Sequence, residues 1–441
     1  MNFVLKKPYS QLLKKTSVAF AINVAGMVIS YFSHVLFGRW LGVDEYGSYA
    51  YALSWLFFLV VISGLGLSNS VLRFVPQYRQ AESLASLRGF VSKSFLLVFC
   101  SSVVVATFAT LIIHFLDLAD VNRNTLLIGI WTLPFLALFY HCVETIRAYR
   151  YIGTAYLPHL VLQPILHLSI ISTIYFYRGG IQSETAIFSF LVTIVFFTLF
   201  HFFNLYKISF KSLSSIKPEN QLRLWLSVSF PFLLMAGFIM ILKRADVLLI
   251  GILVGAKEAG IYNAASKTAS LISFVMLAVN AIAAPMISEY YKKQDKGALQ
   301  DIVNLSIKLS FFPSIILGLL LFGFSQPVLG IFGHEFLIGV GPLKLLICAH
   351  IIITSVGPAN YLVSLTGHHN KSLVAYGCSA GLNIVLNLTL IPKFGNIGAA
   401  MATLASMVIC HIWLSILAKK YIGIRSFIFT IPRVSAIKDA L

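Results

Sequence analysis

The chain has 441 residues, of which 58% are apolar and 11% charged, whereas an ordinary globular domain is roughly 45–50% apolar and about 25% charged. With a mean hydropathy of +0.87 there is too little charged surface to cover a soluble core. Five cysteines against 36 phenylalanines exclude a disulfide-stapled secreted domain and a disordered chain. A net charge of +18 would suggest nucleic acid in a soluble protein, but in a chain of recurring apolar runs it marks the loops on the cytoplasmic side of a membrane.

Twelve spans are predicted, at 17–41, 47–70, 92–116, 125–146, 155–177, 185–206, 226–254, 260–287, 304–324, 340–365, 372–391 and 396–418. Each is long enough to cross a hydrocarbon core of about 30 Å at 1.5 Å per residue. The first reads as an uncleaved helix, because no small-residue cleavage site follows it. With the N-terminus inside, 24 of the 33 basic residues fall on the inner face. They are Lys6, Lys7, Lys14 and Lys15 in the tail, then Arg73, Arg79, Arg88, Lys93, Arg147, Arg150, Lys207, Lys211, Lys217, Arg223, Lys292, Lys293, Lys296, Lys308 and Lys371 in turn. Lys419, Lys420, Arg425, Arg433 and Lys438 complete the set in the C-terminal tail. The outer face keeps only Arg39, Arg123, Arg178, Lys257, Lys344 and Lys393. This bias places both termini in the cytoplasm.

Two segments, one in each half of the chain, match at a constant offset. Gly42, Glu45, Gly47, Tyr49 and Ala52 lie over Gly255, Glu258, Gly260, Tyr262 and Ala265. Both are outer turns, between spans 1 and 2 and between spans 7 and 8. An offset of six spans preserves orientation, so the fold class is all-α integral membrane, with two six-helix bundles related by a parallel pseudo-two-fold repeat. The expected division is an N-terminal bundle (1–206), a cytoplasmic linker (207–225), a C-terminal bundle (226–418) and a cytoplasmic tail (419–441). Gly42, Gly47, Gly255 and Gly260 are read as scaffold, letting the chain turn sharply and adjacent helices approach. Gly395, before span 12, reads as the same device.

Beyond this point the sequence resembles a known family. Gly38-Arg39-Trp40-Leu41-Gly42, Glu45-Tyr46-Gly47, Gly64-Leu65-Gly66-Leu67 and Arg73-Phe74 are similar to the N-terminal signature of polysaccharide-biosynthesis (O-antigen type) flippases. These belong to the multidrug/oligosaccharidyl-lipid/polysaccharide exporter superfamily. The segments 244–271 and 365–406 resemble its middle and C-terminal signatures. The resemblance implies a V-shaped pair of bundles and alternating access. It implies carriage of an undecaprenyl-diphosphate-linked glycan to the outer leaflet of a bacterial inner membrane, for O-antigen, capsule or exopolysaccharide. It also implies membrane lipids, a polymerase and chain-length proteins as partners, and no nucleic acid.

Charges within spans cost about 2.5–3.5 kcal/mol each on insertion scales, so they must meet a wet cavity or a partner. Lys243, Arg244 and Asp246 lie on span 7 and Lys267 on span 8. At i,i+3, Lys243 and Asp246 share a helix face and are expected to pair. The repeat places Ser30, Tyr31 and Ser54 at the positions of Lys243, Arg244 and Lys267, so the scaffold does not require these charges. Arg244, Lys267 and Lys243 are the candidate cavity residues for the diphosphate. Arg39, Arg73 and Arg147 are further candidates, against interfacial snorkelling and ordinary inner-face placement. Glu144 is expected to pair with Arg147, and Asp246 is the candidate for ion or proton coupling. The chain carries no P-loop, no metal cluster is expected among its scattered histidines and membrane-embedded cysteines, and no cofactor is implied. A cation-coupled multidrug exporter of the same superfamily is the alternative. A membrane-embedded polymerase is disfavoured by the short outer loops, and catalysis is not expected.

Overall fold

The computed structural model describes residues 7–115 and 122–428, with side chains from Phe20 onward. Lys6, Arg433 and Lys438 of the expected basic face lie outside these residues, and for Lys7, Lys14 and Lys15 only the backbone is described. The described residues are helical with connecting turns and contain no strand. Among the described residues ten helical segments are long and apolar enough to cross a membrane. Two of them, Phe20–Ser63 and His369–Ile422, are double length. Each is broken inside by a glycine with non-helical backbone, Gly42 (φ 75°) and Gly395 (φ 55°). Counting both halves of each gives the twelve crossings expected from the sequence.

The repeat is visible as contacts. The Glu45 carboxylate accepts from the Ser183 backbone N–H at 2.6 Å, at the start of span 6. The Glu258 carboxylate accepts from the Asn396 side-chain amide at 2.6 Å, at the start of span 12. Ser183 and Asn396 are themselves related by the offset that relates Glu45 to Glu258, so the pairs are equivalent under the repeat. A carboxylate at a helix N-terminus meets free N–H groups and the positive end of the helix dipole. Both acids are half-buried. Replacing either by alanine is expected to cost about 1.5–3 kcal/mol, the range for a hydrogen bond to a charged group. Thermal unfolding in detergent measures this, and unchanged midpoints would mean that water replaces the contact freely.

The two turns also pack on each other. A Cβ on Gly260 would lie 2.5 Å from the Gly47 Cα, and one on Gly47 would lie 2.3 Å from the Ala256 carbonyl oxygen. Around this crossing Tyr46 meets Phe332 and Phe336, and Lys257 bridges Asp44 (3.6 Å) and Glu335 (3.5 Å). The hydrophobic core therefore runs without a break from the N-terminal bundle into the C-terminal one on this far face. Toward the basic face the C-terminal bundle has a core of its own, around Ile287, Val303, Leu362 and Leu414. The bundles thus share one core at the far face; toward the basic face they keep separate cores but stay in contact, Phe20 stacking on Phe274 and Ser229 bonding Ser70.

Several boundaries differ from those read in the sequence. Span 2 ends at Ser63 rather than at 70, because Leu65 (φ 50°) and Gly66 (φ 70°) break the helix, and a separate helix, Leu67–Gln80, follows. Span 10 ends at Val356, where Gly357 adopts φ 65° and Pro358 follows. Hydropathy runs through both breaks and hides them. Span 7 begins at Leu222 instead of 226.

The linker is strapped to the N-terminal bundle. Trp225, 1% exposed, donates to the Tyr78 hydroxyl (2.9 Å), which donates to Gln221 (3.0 Å). Ser229 donates to Ser70 at 2.7 Å, Ser86 donates to Glu219, and Arg88 donates to the Ile216 carbonyl. Hydrogen bonds from Ser86 and Gln221 hold the Glu219 carboxyl below the usual carboxylate range. Beyond Pro231, span 7 joins the other bundle, where Phe238 packs on Gly377. One helix therefore touches both bundles, on either side of a residue that removes a helical hydrogen bond.

Candidate functional site: a cationic cleft between the bundles

Arg244 and Lys267 flank the turn at Gly255, one on each arm. Each stands about three helical turns away, which at about 5.4 Å per turn puts both roughly 16–18 Å below the far-face turn. That is deep in the hydrocarbon zone. The C-terminal bundle points them at the N-terminal one: the Arg244 guanidinium stands 5.3 Å from the centre of the Phe57 ring. It lies within electrostatic reach of Tyr46 and Tyr140 of the N-terminal bundle, and of both Lys267 and Lys243. Arg244 and Lys267 are half-buried, while Lys243 is exposed. A charge exposed at this depth requires a wet cleft, since lipid would exclude it.

The expected Lys243–Asp246 pair does not form. Asp246 is 3% exposed and turns into its own bundle. Its Oδ2 accepts from the Tyr262 hydroxyl at 2.6 Å and from Thr403 at 3.3 Å, and its Oδ1 accepts from the Val247 N–H at 2.9 Å. These donors satisfy the carboxylate without an ammonium group. Asp246 lies within electrostatic reach of Arg244, but among the described residues no carboxylate stands in ion-pair contact with Lys243, Arg244 or Lys267.

The other expected residues lie elsewhere. Arg147 is engaged by Glu144 (3.0 Å) and the Tyr156 hydroxyl (2.8 Å), so the expected Glu144–Arg147 pair is present. Arg39 is exposed at the far-face end of span 1, and Arg73 is exposed on the helix Leu67–Gln80. No hydrogen bond or ion pair among the described residues joins these three arginines to the cationic trio. A hollow of about 580 Å³ at the far-face end of spans 4–6, lined by Tyr177, Arg178, Glu184 and Phe188 among others, does not include the trio.

Sequence reasoning missed the aromatic and polar wall that the N-terminal bundle supplies. His34 lies within electrostatic reach of Arg244 and Lys267. Its Nδ1 is 3.2 Å from the Tyr46 hydroxyl, which accepts from Asn263 at 3.0 Å. Tyr31 meets Thr268 at 3.3 Å. A lone histidine and asparagine inside two predicted spans were the available signal.

A two-bundle, twelve-span membrane protein with a cluster of basic residues where its halves meet has the build of an alternating-access transporter. Residues 12–291 match the family described as polysaccharide biosynthesis protein, and residues 231–389 match the family described as MatE. The first match covers more than half of the chain, which therefore belongs to the polysaccharide biosynthesis protein family. The chain is 30% identical over 173 residues to a probable low-salt glycan biosynthesis flippase, Agl15, of Haloferax volcanii, covering 37% of this chain and 35% of that one. Its fold matches the inward-facing conformation of a multidrug resistance MATE family transporter of the MOP superfamily. The TM-score is 0.74 and the identity 14%, over 92% of this chain and 98% of the other. It also matches the lipid II flippase MurJ in an inward closed conformation, with a TM-score of 0.71 and 19% identity, over 92% and 87%.

Proposed function

We propose that this chain is a flippase for a lipid-linked oligosaccharide, and that Arg244 and Lys267, with Lys243 beside them, hold the diphosphate of a polyprenyl carrier such as undecaprenyl diphosphate. The observation that carries this reading is the set of three cations without an ion-paired carboxylate among the described residues, two of which, Arg244 and Lys267, lie within reach of Phe57 and His34 of the other bundle. The likeness to a probable glycan flippase and to a lipid II flippase supports the cargo class. In this reading the basic face is cytoplasmic with both termini on it, the membrane is the plasma membrane, and the far face opens to the outer leaflet. The units that rock are 1–206 and 226–418, joined by 207–225 and followed by the tail 419–441. A surface polysaccharide of the O-antigen, capsule or exopolysaccharide type would consume the product, with a polymerase and chain-length proteins acting after the flippase. The chain performs no bond-making step in this scheme.

Deleting the gene and probing the lipid-linked glycan on spheroplasts with an impermeant glycan-modifying reagent tests the reading. Accumulation of the glycan on the cytoplasmic face with loss of the surface polymer supports it. Intact glycan export with increased toxicity of cationic drugs would replace it with the multidrug exporter reading, which the MATE likeness favours. Against the exporter stands the cleft itself, whose charges are cationic while Asp246 is turned away.

Asp246 is assigned here to coupling. It anchors an oxygen-rich network in which Thr403 touches it, Ser406 donates to the Thr403 carbonyl, Asn383 donates to Ser406 and Asn387 donates to Asn383. Asn387 Oδ1 is buried without a partner, as suits a hard cation or a proton carrier. Asp246→Asn is expected to slow transport about 10-fold and to abolish its dependence on a sodium or proton gradient in proteoliposomes. An unchanged gradient dependence would remove Asp246 from coupling.

A further inference from the structure

Between the cationic trio and the far-face closure lies a chain of hydrogen bonds that the binding scheme above does not use. Asn263 of the C-terminal bundle is buried and donates its Nδ2–H to the Tyr46 hydroxyl of the N-terminal bundle at 3.0 Å. With that oxygen accepting from Asn263, the Tyr46 hydroxyl proton is free to go to His34 Nδ1, 3.2 Å away. A neutral imidazole that accepts at Nδ1 carries its proton on Nε2. His34 Nε2 has no hydrogen-bond partner among the described residues, and protein does not enclose it as it encloses His159 Nδ1 and both ring nitrogens of His201. The ring is half-buried and lies within electrostatic reach of Arg244 and Lys267. Nothing in the scaffold requires a histidine here, because the repeat places Val247 at the same position of the second half.

We infer that His34 is a further anion-binding residue, donating from Nε2–H to the cargo's diphosphate, and that Tyr46 and Asn263 hold it in the donating tautomer. This rests on the diphosphate reading of the trio and deepens it. The consequence is mechanical. Arg244 and Lys267 belong to one bundle and His34 to the other, so an anion held by all three ties the bundles together through the cleft. The Tyr46–Asn263 bond ties them nearer the far face, at the turn that follows His34's own span. Any shift of His34 toward an anion lengthens its bond to Tyr46 and so acts on the far-face contact directly. His34 is the binding residue in this arrangement, and Tyr46 and Asn263 are positioning residues.

The test uses the full-length protein in detergent, titrated with undecaprenyl diphosphate and separately with inorganic pyrophosphate as the headgroup alone. His34→Ala is expected to weaken both about 10-fold. His34→Gln, whose amide places an N–H near the former Nε2, is expected to stay within about 3-fold of the parent. Tyr46→Phe removes the proton donated to Nδ1 and is expected to weaken binding about 3-fold or more in the presence of His34, and to have no further effect in a His34→Ala background. That non-additivity is a readout a merely structural role of Tyr46 would not produce. Arg244→Gln is the control. If it leaves pyrophosphate and lipid binding unchanged, the anion reading of the cleft fails as a whole. If it weakens binding while monodisperse His34→Ala binds like the parent, the role given to His34 is wrong and the trio stands without it.

Discussion

Replacing Arg244 and Lys267 together by glutamine is expected to reduce transport of a diphosphate-linked oligosaccharide by about 100-fold or more, with each single change costing about 10-fold. A hydrogen bond to a charged group contributes roughly 1.5–3 kcal/mol, and 1.4 kcal/mol is about a factor of ten. Arg244 makes no ion pair among the described residues, and Asp246, within its electrostatic reach, keeps its hydrogen bonds from Tyr262, Val247 and Thr403, so folding is expected to survive. Arg244→Glu is expected to abolish transport, because it brings a like charge to the anion. Arg39→Ala, at an exposed far-face position, is expected to leave transport within about 2-fold. Flipping is read in proteoliposomes, with membrane abundance measured beside it. Full transport by both single variants at normal abundance would place the cargo path elsewhere.

The same site shows what a sequence can and cannot display. The charged positions within spans stood out because lipid makes each of them costly, and the two glycine turns stood out because close backbone approach leaves few residue choices. Span number was legible for the same reason: the apolar runs have one explanation. The partners were not legible. Asp246 faces Tyr262 and Thr403 rather than Lys243, although Lys243 shares its helix face, because a side chain three positions away competes with a whole neighbouring helix. His34, Tyr46 and Asn263 come from opposite halves of the chain and follow no period. The breaks at Gly64–Gly66 and Gly357 escaped because hydropathy carries no dihedral information. One signal went unread: Ser183 and Asn396 share the offset of Glu45 and Glu258, and that coincidence marks a contact in each half.

The crossing of the two repeat turns predicts a second large effect. Gly47→Val and Gly260→Val are each expected to hold the far face open and to cut transport below about a tenth of the parent's. Both glycines have ordinary helical backbone, so nothing is lost in φ; the obstacle is purely steric. A Cβ at 260 would lie 2.5 Å from the Gly47 Cα, and one at 47 would lie 2.3 Å from a carbonyl oxygen. In both cases the obstructing atom is backbone, which cannot rotate aside. Overpacking of this kind costs about 1–3 kcal/mol, and only in the state where the turns touch. It therefore shifts the balance between far-face-closed and far-face-open states by roughly 5- to 150-fold rather than unfolding the protein. Gly42 and Gly255 provide the contrast. They have positive φ (75° and 130°) with nothing within 4 Å of a Cβ, so alanine there strains the turn in every state and is expected to lower stability by about 1–2 kcal/mol without favouring either face. Crosslinking of Asp44→Cys to Lys257→Cys by a short bifunctional thiol reagent, at positions whose parent side-chain ends meet at 3.6 Å, reads the far face directly. The crosslink should form in the parent and in Gly42→Ala, and should fall several-fold in Gly260→Val. Equal crosslinking in all three would show that the crossing adapts to a side chain and does not set the closed state.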